Sequence, residues 1–340
     1  MTMRPGFSVQ RFTPLARAAS VLVAVVLVVL ALGPFLFGAT AEDNLTLLFV
    51  YVILGAMWNA LAGYGGLVSV GQQAFFGLGA YAAIRLSSFG VPVYLAIVLG
   101  ALLAGAVAVP LSSFALRLRG GEFAIGMWVV AELAHLLVNL DGLIQGETGT
   151  SLIALNAYAP QDRRAFNYWL AFAAMLVLLG AVFALLRGRL GAAVQAIRDN
   201  EEAAASLGVR VLAGKRVIFV LAAVGCAMAG SLYLSYQISF QPKAYFGVNW
   251  TAYMIFMALV GGLGTFEGPI VGAIVFFLME RAFGATGVWY LVGLGAVALV
   301  FALFLPRGLW GTLEDKTGIR IAPLGYRLRL PEAAGRDTTR

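Results

Sequence analysis

Side chains capable of covalent or metal chemistry are scarce in this 340-residue chain, which has one histidine, His135, and one cysteine, Cys226. No group of His, Cys, Asp and Glu has metal-ligand spacing, and no HExxH helix is present. Glu132 and His135 stand three residues apart, which puts both on one face of a helix. Inside a membrane such a pair can carry ions or protons, or it can simply hydrogen-bond a neighbouring helix. Gly208-Val-Arg-Val-Leu-Ala-Gly214-Lys215-Arg216 comes nearest to a phosphate-binding loop. It has one residue too many between its glycines, and Arg216 stands where Ser or Thr must reach magnesium. A chain without that loop does not hydrolyse ATP itself, and no other plausible catalytic set is in view.

The elements that must position these residues follow from composition. Hydrophobic residues make up 61% of the chain and charged residues 11%, against roughly 45–50% and about 25% in soluble domains. A bilayer-crossing helix needs about 20 consecutive apolar residues. Uncharged runs of that size give ten candidate spans, at 18–38, 44–62, 73–90, 92–115, 123–140, 167–186, 217–238, 249–263, 268–284 and 287–305. The predicted fold is all-α, a polytopic membrane helix bundle of about ten helices over residues 18–310. Residues 44–84 carry no charge, so only Gly63, Gly65, Gly66 and Gly71 mark a break between the second and third spans. The ninth is short and ends at Glu280 and Arg281, charges that must pair or reach an interface. Arg17, an apolar run and Ala39-Thr40-Ala41 also fit a signal peptide. The apolar stretch from Ser20 to Gly38 is longer than a signal core, so the first helix is expected to be retained.

A net charge of +7 would suggest nucleic acid in a soluble protein. In this ten-span arrangement only Arg85, Arg163, Arg164, Lys243 and Arg281 of the 23 Lys and Arg residues fall on one side. Cationic loops favour the cytoplasm. The chain is thus expected to be a multi-pass membrane protein with both termini cytoplasmic and an even number of spans. Residues 1–17 form a cytoplasmic N-terminal segment, and the basic stretch 311–340 is expected to be a loosely ordered cytoplasmic tail. Residues 141–167 form an extracytoplasmic loop. Residues 187–216 form a cytoplasmic loop, helical from Ala192 to Leu207 with Gly208 as its stop.

That cytoplasmic loop carries the most informative spacing. Glu202-Ala203-Ala204, three residues, Gly208, nine residues and Ile218 resemble the E-A-A-x3-G-x9-I loop by which permeases of ABC importers dock onto their ATPases. A short amphipathic helix between two membrane helices can enter a groove on a soluble partner and pass on rigid-body motion. The pattern alone also suits a plain cytoplasmic amphipathic helix, and Val220-Leu221 replace the usual Leu-Pro ending. The expected coupling residues are Arg198, Asp199, Glu202, Ala203, Ala204 and Gly208.

Further stretches carry a wider resemblance. Residues 71–81 (GQQAFFGLGAY), 117–125 (RLRGGEFAI), 261–269 (GGLGTFEGP) and 305–311 (LPRGLWG) are similar to signature stretches of the branched-chain amino acid ABC transporter permeases of the LivM type. The resemblance implies an ABC importer permease fold and a passive, non-enzymatic pore subunit. It implies a homologous second permease, two cytoplasmic ATPase subunits that bind ATP and Mg, and an extracytoplasmic substrate-binding protein meeting the 141–167 face. No cofactor is implied in this chain. Branched-chain or related amino acids are the implied cargo, and urea and short-chain amides fit the same resemblance. Where family members often have Glu-x-x-Arg on the fifth helix, this chain has Glu132 and His135, and a Thr-Gly-Gly stretch appears as Thr148-Gly149-Thr150-Ser151.

The glycine strings 63–71 and 261–264 each join an inward to an outward span, either as copies of a duplicated unit or as two tight connections. Where unwound backbone lines a path, its polar groups can meet a zwitterion's charges. The expected path residues are Gln72, Gln73, Phe75, Glu132, Thr148, Gly149, Gly262 and Gly264, with the two glutamines equally able to bond between helices. The rival from another class is an ion-coupled transporter working through Glu132 and His135. Such a protein has no need of the docking segment.

Overall fold

A computed structural model describes residues 8–10, 14–317 and 327–329. Of the two terminal segments, residues 1–7, 11–13, 318–326 and 330–340 lie outside the described residues. The helices are α1 (Pro14–Ala31), α2 (Ala39–Asn59), α3 (Gln73–Ser88), α4 (Val93–Ala115), α5 (Gly120–Asn139), α6 (Pro160–Arg187), α7 (Arg189–Asp199), α8 (Glu201–Ser206), α9 (Val211–Gln237), α10 (Asn249–Gly261), α11 (Gly268–Phe283), α12 (Val288–Phe304) and α13 (Gly308–Thr317). Two further single turns, Gly33–Leu36 and Pro242–Tyr245, precede α2 and α10. Each of the ten expected spans corresponds to one of these helices. Eight helical segments are long and apolar enough to cross a membrane. Helix α3 is not among them: its 16 residues reach about 24 Å, less than the roughly 30 Å of a bilayer core.

The short α3 is completed by what precedes it. Helix α2 runs on through a π-helical turn, Ala60–Tyr64, and the chain then crosses residues 65–72 without regular structure. Ser69 and Gln72 are fully buried there, and the backbone is satisfied by side chains. Trp58 Nε1 donates to the Ser69 carbonyl at 3.0 Å, and Gly71 N donates to Ser69 Oγ at 3.3 Å. Irregular backbone at membrane depth is tolerated only with such internal partners.

Helices α2 and α9 form the centre, with α3 and α4 packed on one flank and α10 and α11 on the other. The α3–α9 crossing depends on glycine. A Cβ on Gly79 would lie 2.1 Å from the Ala227 carbonyl oxygen, and one on Gly230 would lie 1.9 Å from that of Phe76. Backbones can approach this closely only where side chains are absent. Helices α5 and α12 are the least covered, and their exposed Trp128, Val129, Leu133, Val288, Trp289 and Leu303 present an apolar surface suited to lipid or partner helices.

Four short strands, β1 (Ser8–Gln10), β2 (Thr150–Ser151), β3 (Ser239–Phe240) and β4 (Arg327–Arg329), form two antiparallel pairs, β1 with β4 and β2 with β3. The first pair joins residues 8–10 to residues 327–329.

Several boundaries differ from expectation for local reasons. Helix α6 begins at Pro160 rather than 167, because proline suits the first helical position. The outer loop is correspondingly shorter and carries two 3-10 turns. The helix expected over 192–207 is two, since Asn200 adopts an extended conformation and its Oδ1 accepts from Ala203 N at 2.9 Å, capping α8. The tail begins as a helix, α13, which packs on α10 and α11. Glu280 and Arg281 both find partners, in Tyr51 and Asn44.

Candidate functional site

The loop holding α7 and α8 lies on the side where α2 ends and α3 begins, and where α10 ends and α11 begins. Arg198, in the last turn of α7, closes this arrangement. Its Nη1 donates to the Gly63 carbonyl at 2.8 Å, while Nε and Nη2 hold Asp199 at 2.9 and 2.8 Å. A Cβ on Gly66 would lie 3.0 Å from Arg198 Cγ, and one on Gly264 would lie 3.7 Å from Arg198 Nη1. Both glycines have positive φ, +67° and +76°, a conformation that other residues resist. The two glycine strings are therefore joined in space as well as alike in composition.

Asn59 reinforces that junction with two hydrogen bonds. Its Nδ2 donates to the Thr265 carbonyl at 2.8 Å, and its Oδ1 accepts from Gly264 N at 2.8 Å. One buried carboxamide thus ties the end of α2 to the α10–α11 connection. Lys215 Nζ reaches Glu201 Oε2 at 2.6 Å across the base of α9. Arg216 donates to Ser112 and Ser113 at the end of α4, at 2.9 and 3.1 Å. Ile218, the last position of the docking spacing, is buried against Gly65. A cavity of about 480 Å³ beside Arg198 is lined by Gly66, Arg119, Gly120, Asp199 and Lys215 among others. It brings together the 117–125 stretch and the docking loop.

The other face of α8 is open. Glu202 and Ala203 are exposed, Ala204 packs inward, and Leu207 is 85% exposed. Gly208 ends the helix at φ +82° with open space around it.

On the opposite side a second cavity, of about 500 Å³, is lined by Gln73, Trp128, Glu132, His135, Glu147, Lys243, Phe246 and Val248, with Ala131 and Gly247. Sequence reasoning singled out Gln73, Glu132 and His135 and missed the rest. His135 stacks on Phe246 at 5.7 Å between ring centres. Its Nδ1 lies 3.3 Å from Glu132 Oε1 and its Nε2 lies 2.8 Å from Glu147 Oε1. Glu147 Oε2 accepts from Lys243 N at 3.0 Å. Burial pushes the Glu147 carboxyl up, but hydrogen bonds from Asn139, from Lys243 N and from His135 outweigh it and hold it below its ordinary value.

The rim is braced. Gly149, at φ +78°, sits against the Phe240 carbonyl where a Cβ would lie 2.0 Å away, and strands β2 and β3 pair beside it. The Tyr81 hydroxyl donates to Asp141 Oδ2 at 2.6 Å, and Arg85 Nε donates to the same oxygen at 2.7 Å. Burial raises the Asp141 carboxyl, yet Tyr81, Leu143 N and Arg85 together leave it below the usual carboxylate range.

The expected path residues thus separate into three groups. Gln73 and Glu132 share the outer cavity, and Thr148 and Gly149 lie in its rim loop next to Glu147. Gly262 and Gly264 belong to the opposite corner, near Arg198. Gln72 and Phe75 are fully buried; Phe75 packs edge-on against Phe219 at 5.7 Å. Arg198, one of the expected coupling residues, turns inward to the Gly63 carbonyl.

Comparison with known proteins agrees with this arrangement. Residues 40–305 match the family described as branched-chain amino acid transport system / permease component. The chain is 27% identical over 313 residues to the high-affinity branched-chain amino acid transport system permease protein LivM of Escherichia coli, covering 84% of this chain and 73% of that one. It is 23% identical to the fructose import permease protein FruG of Bifidobacterium longum, over 92% of this chain and 96% of the relative. Over 162 residues it is 31% identical to the L-arabinose transport system permease protein AraH of Escherichia coli, 46% of this chain and 47% of that one. With its multi-pass helical bundle and a family match across most of its length, the chain belongs to the permease components of branched-chain amino acid transport systems and is of the LivM type.

Proposed function

We propose that this chain is the membrane-spanning permease of an ATP-driven importer for branched-chain amino acids, lying in the inner membrane with both termini cytoplasmic. It pairs with a homologous permease, takes its cargo from an extracytoplasmic binding protein on the face holding residues 141–159, and docks two ATPase subunits on its cytoplasmic side. Those subunits hold ATP and Mg; this chain supplies no bond-breaking chemistry. The observation that carries the reading is the seating of α7 and α8. Their open face offers Glu202, Ala203 and Leu207, while Arg198 on the inner face holds the Gly63 carbonyl next to Gly264, and Asn59 ties that corner to the other. A push on α8 is therefore delivered to α2 and to the α10–α11 connection together, which suits alternating access driven from outside the membrane.

The test is uptake and ATPase co-purification with Gly208→Trp and Glu202→Lys, both at exposed positions. Both variants should keep the membrane bundle and lose ATPase and uptake together; unchanged co-purification and uptake would count against docking at α8. A sugar cargo is the second reading, favoured by the length over which the fructose permease relative aligns. Competition of labelled leucine uptake by unlabelled fructose separates the two. Uptake that survives ATP depletion but collapses with an ionophore would point instead to ion coupling through Glu132 and His135.

A further inference from the structure

We infer that the outer cavity is a binding site for a small zwitterion, with its ammonium held by Glu132 and Glu147 and its carboxylate met by Gln73 and Lys243. The inference rests on the permease reading for its direction of travel, but its chemistry comes from the lining itself.

The cavity of about 500 Å³ falls in the range of small-molecule sites, roughly 300–1,000 Å³. Its most telling member is Gln73. The side chain is 1% exposed, and its Oε1 is taken by the Thr251 hydroxyl. Its amide nitrogen has no hydrogen-bond partner among the described residues, although the residue lines the cavity. A buried donor left open in this way is a place for a ligand acceptor. Lys243 also lines the cavity and makes no ion pair among the described residues, so its long side chain can bring a second, charged donor to the same space. A ligand carboxylate satisfies both.

Glu132 supplies the opposite charge. It is 58% exposed in its side chain and is engaged only through one oxygen, at 3.3 Å from His135. Glu147 is held in place by Lys243 N and His135, with its carboxyl kept ionised by those donors. One anchored carboxylate, Glu147, and one loosely held, Glu132, both beside His135, favour an ammonium group, and charge-assisted hydrogen bonds are the strong ones. Between the charged walls, Trp128, Phe246 and Val248 offer apolar surface. A molecule with separated ammonium and carboxylate and an apolar side chain matches all three surfaces, whereas a neutral sugar leaves both sets of charges unmatched.

The test uses the full-length chain purified with its co-purifying subunits in lipid nanodiscs, and measures binding of radiolabelled L-leucine. Three competitors dissect the site: 4-methyl-2-oxopentanoate lacks the ammonium, 3-methylbutylamine lacks the carboxylate, and fructose lacks both. Each should compete at least tenfold more weakly than unlabelled leucine. Glu132→Gln combined with Glu147→Gln should weaken leucine tenfold or more, and Lys243→Met should weaken leucine while leaving 3-methylbutylamine unchanged. Equal competition by the keto acid, or full leucine affinity in the double variant, would overturn the assignment. If the double variant fails to fold, the competitor series on the unaltered chain decides alone. ATPase co-purification is scored on the same samples. Its absence would sink the permease reading, while ammonium-dependent leucine binding would still support the cavity.

Discussion

The two sides of the bundle are built on opposite terms. At the α7–α8 seat the contacts that join the two glycine corners are short and made to backbone: Arg198 to the Gly63 carbonyl, Asn59 to Gly264 N and the Thr265 carbonyl. The outer cavity is lined by side-chain polar groups, and two of them, Glu132 and Lys243, are exposed and only partly engaged. A satisfied, backbone-anchored junction moves as one piece. A set of unsatisfied side chains around an opening exchanges partners. The first arrangement suits transmission of force, the second suits capture and release.

Mutations can break that contrast in graded steps. Asn59→Leu should have the largest effect on stability, because it removes the partner of the half-buried Gly264 amide and Thr265 carbonyl and sets an apolar side chain against them. At about 1–3 kcal/mol per stranded group, the melting temperature of the purified chain should fall by several degrees, and an unchanged value would mean the two corners are not held by this side chain. Arg198→Ala should come next, with a modest loss of stability but about a tenfold drop in substrate moved per ATP hydrolysed; Arg198→Lys should recover only part, since a point charge cannot span Gly63 and Asp199 together. Coupling equal to that of the unaltered protein would remove Arg198 from the force path.

The outer side should respond more weakly. Asp141→Asn loosens the clasp to Arg85 and Tyr81, which is partly exposed and so contributes about 1 kcal/mol or less. Because the Asp141 carboxyl lies below its ordinary value of 3.8, its contribution is present above that pH and is lost as pH falls through the lower folded value. The stability gap between Asp141→Asn and the unaltered chain should therefore be full at pH 6 and close in strong acid; a gap that widens in acid would contradict the clasp. Glu132→Gln should change stability least, within about 0.5 kcal/mol, despite its effect on ligand affinity. A large loss of thermal stability would make Glu132 a structural residue and erase the difference between the two sides.

The spans were legible because uncharged runs must become helices in a bilayer, and all ten candidates found a counterpart. The glycine strings were legible as corners, but their meeting in space was not, since residues 63 and 264 are brought together only by packing of α2 against α10 and α11. The break at Asn200 was readable in principle, as Asn ahead of Glu201-Glu202 is a good helix cap. The outer cavity resisted reading for a different reason. Glu132 and His135 declare themselves by spacing, whereas Glu147, Lys243 and Phe246 lie in loops whose approach depends on the β2–β3 pairing. Arg198 was legible as part of the coupling segment, but its seat against the Gly63 carbonyl was not, because an amphipathic pattern says which face is polar but not that a glycine corner will accept a guanidinium.

The π-helical turn at Ala60–Tyr64 gives the seat a sensitivity to length. Its Gly65 amide bonds back to the Ala60 carbonyl at 3.2 Å, so the turn holds one more residue than an ordinary α-turn. Removing a single residue from it would let the turn relax to regular α pitch with the phase of the helix kept, because the wide turn is what absorbs the extra residue. The Gly63 carbonyl lies inside that turn, so the deletion would re-aim the acceptor that Arg198 uses. The same deletion in the regular part of α2 would instead rotate everything beyond it by about 100°, so the five positions of the turn are where chain length can be altered to disturb the seat alone.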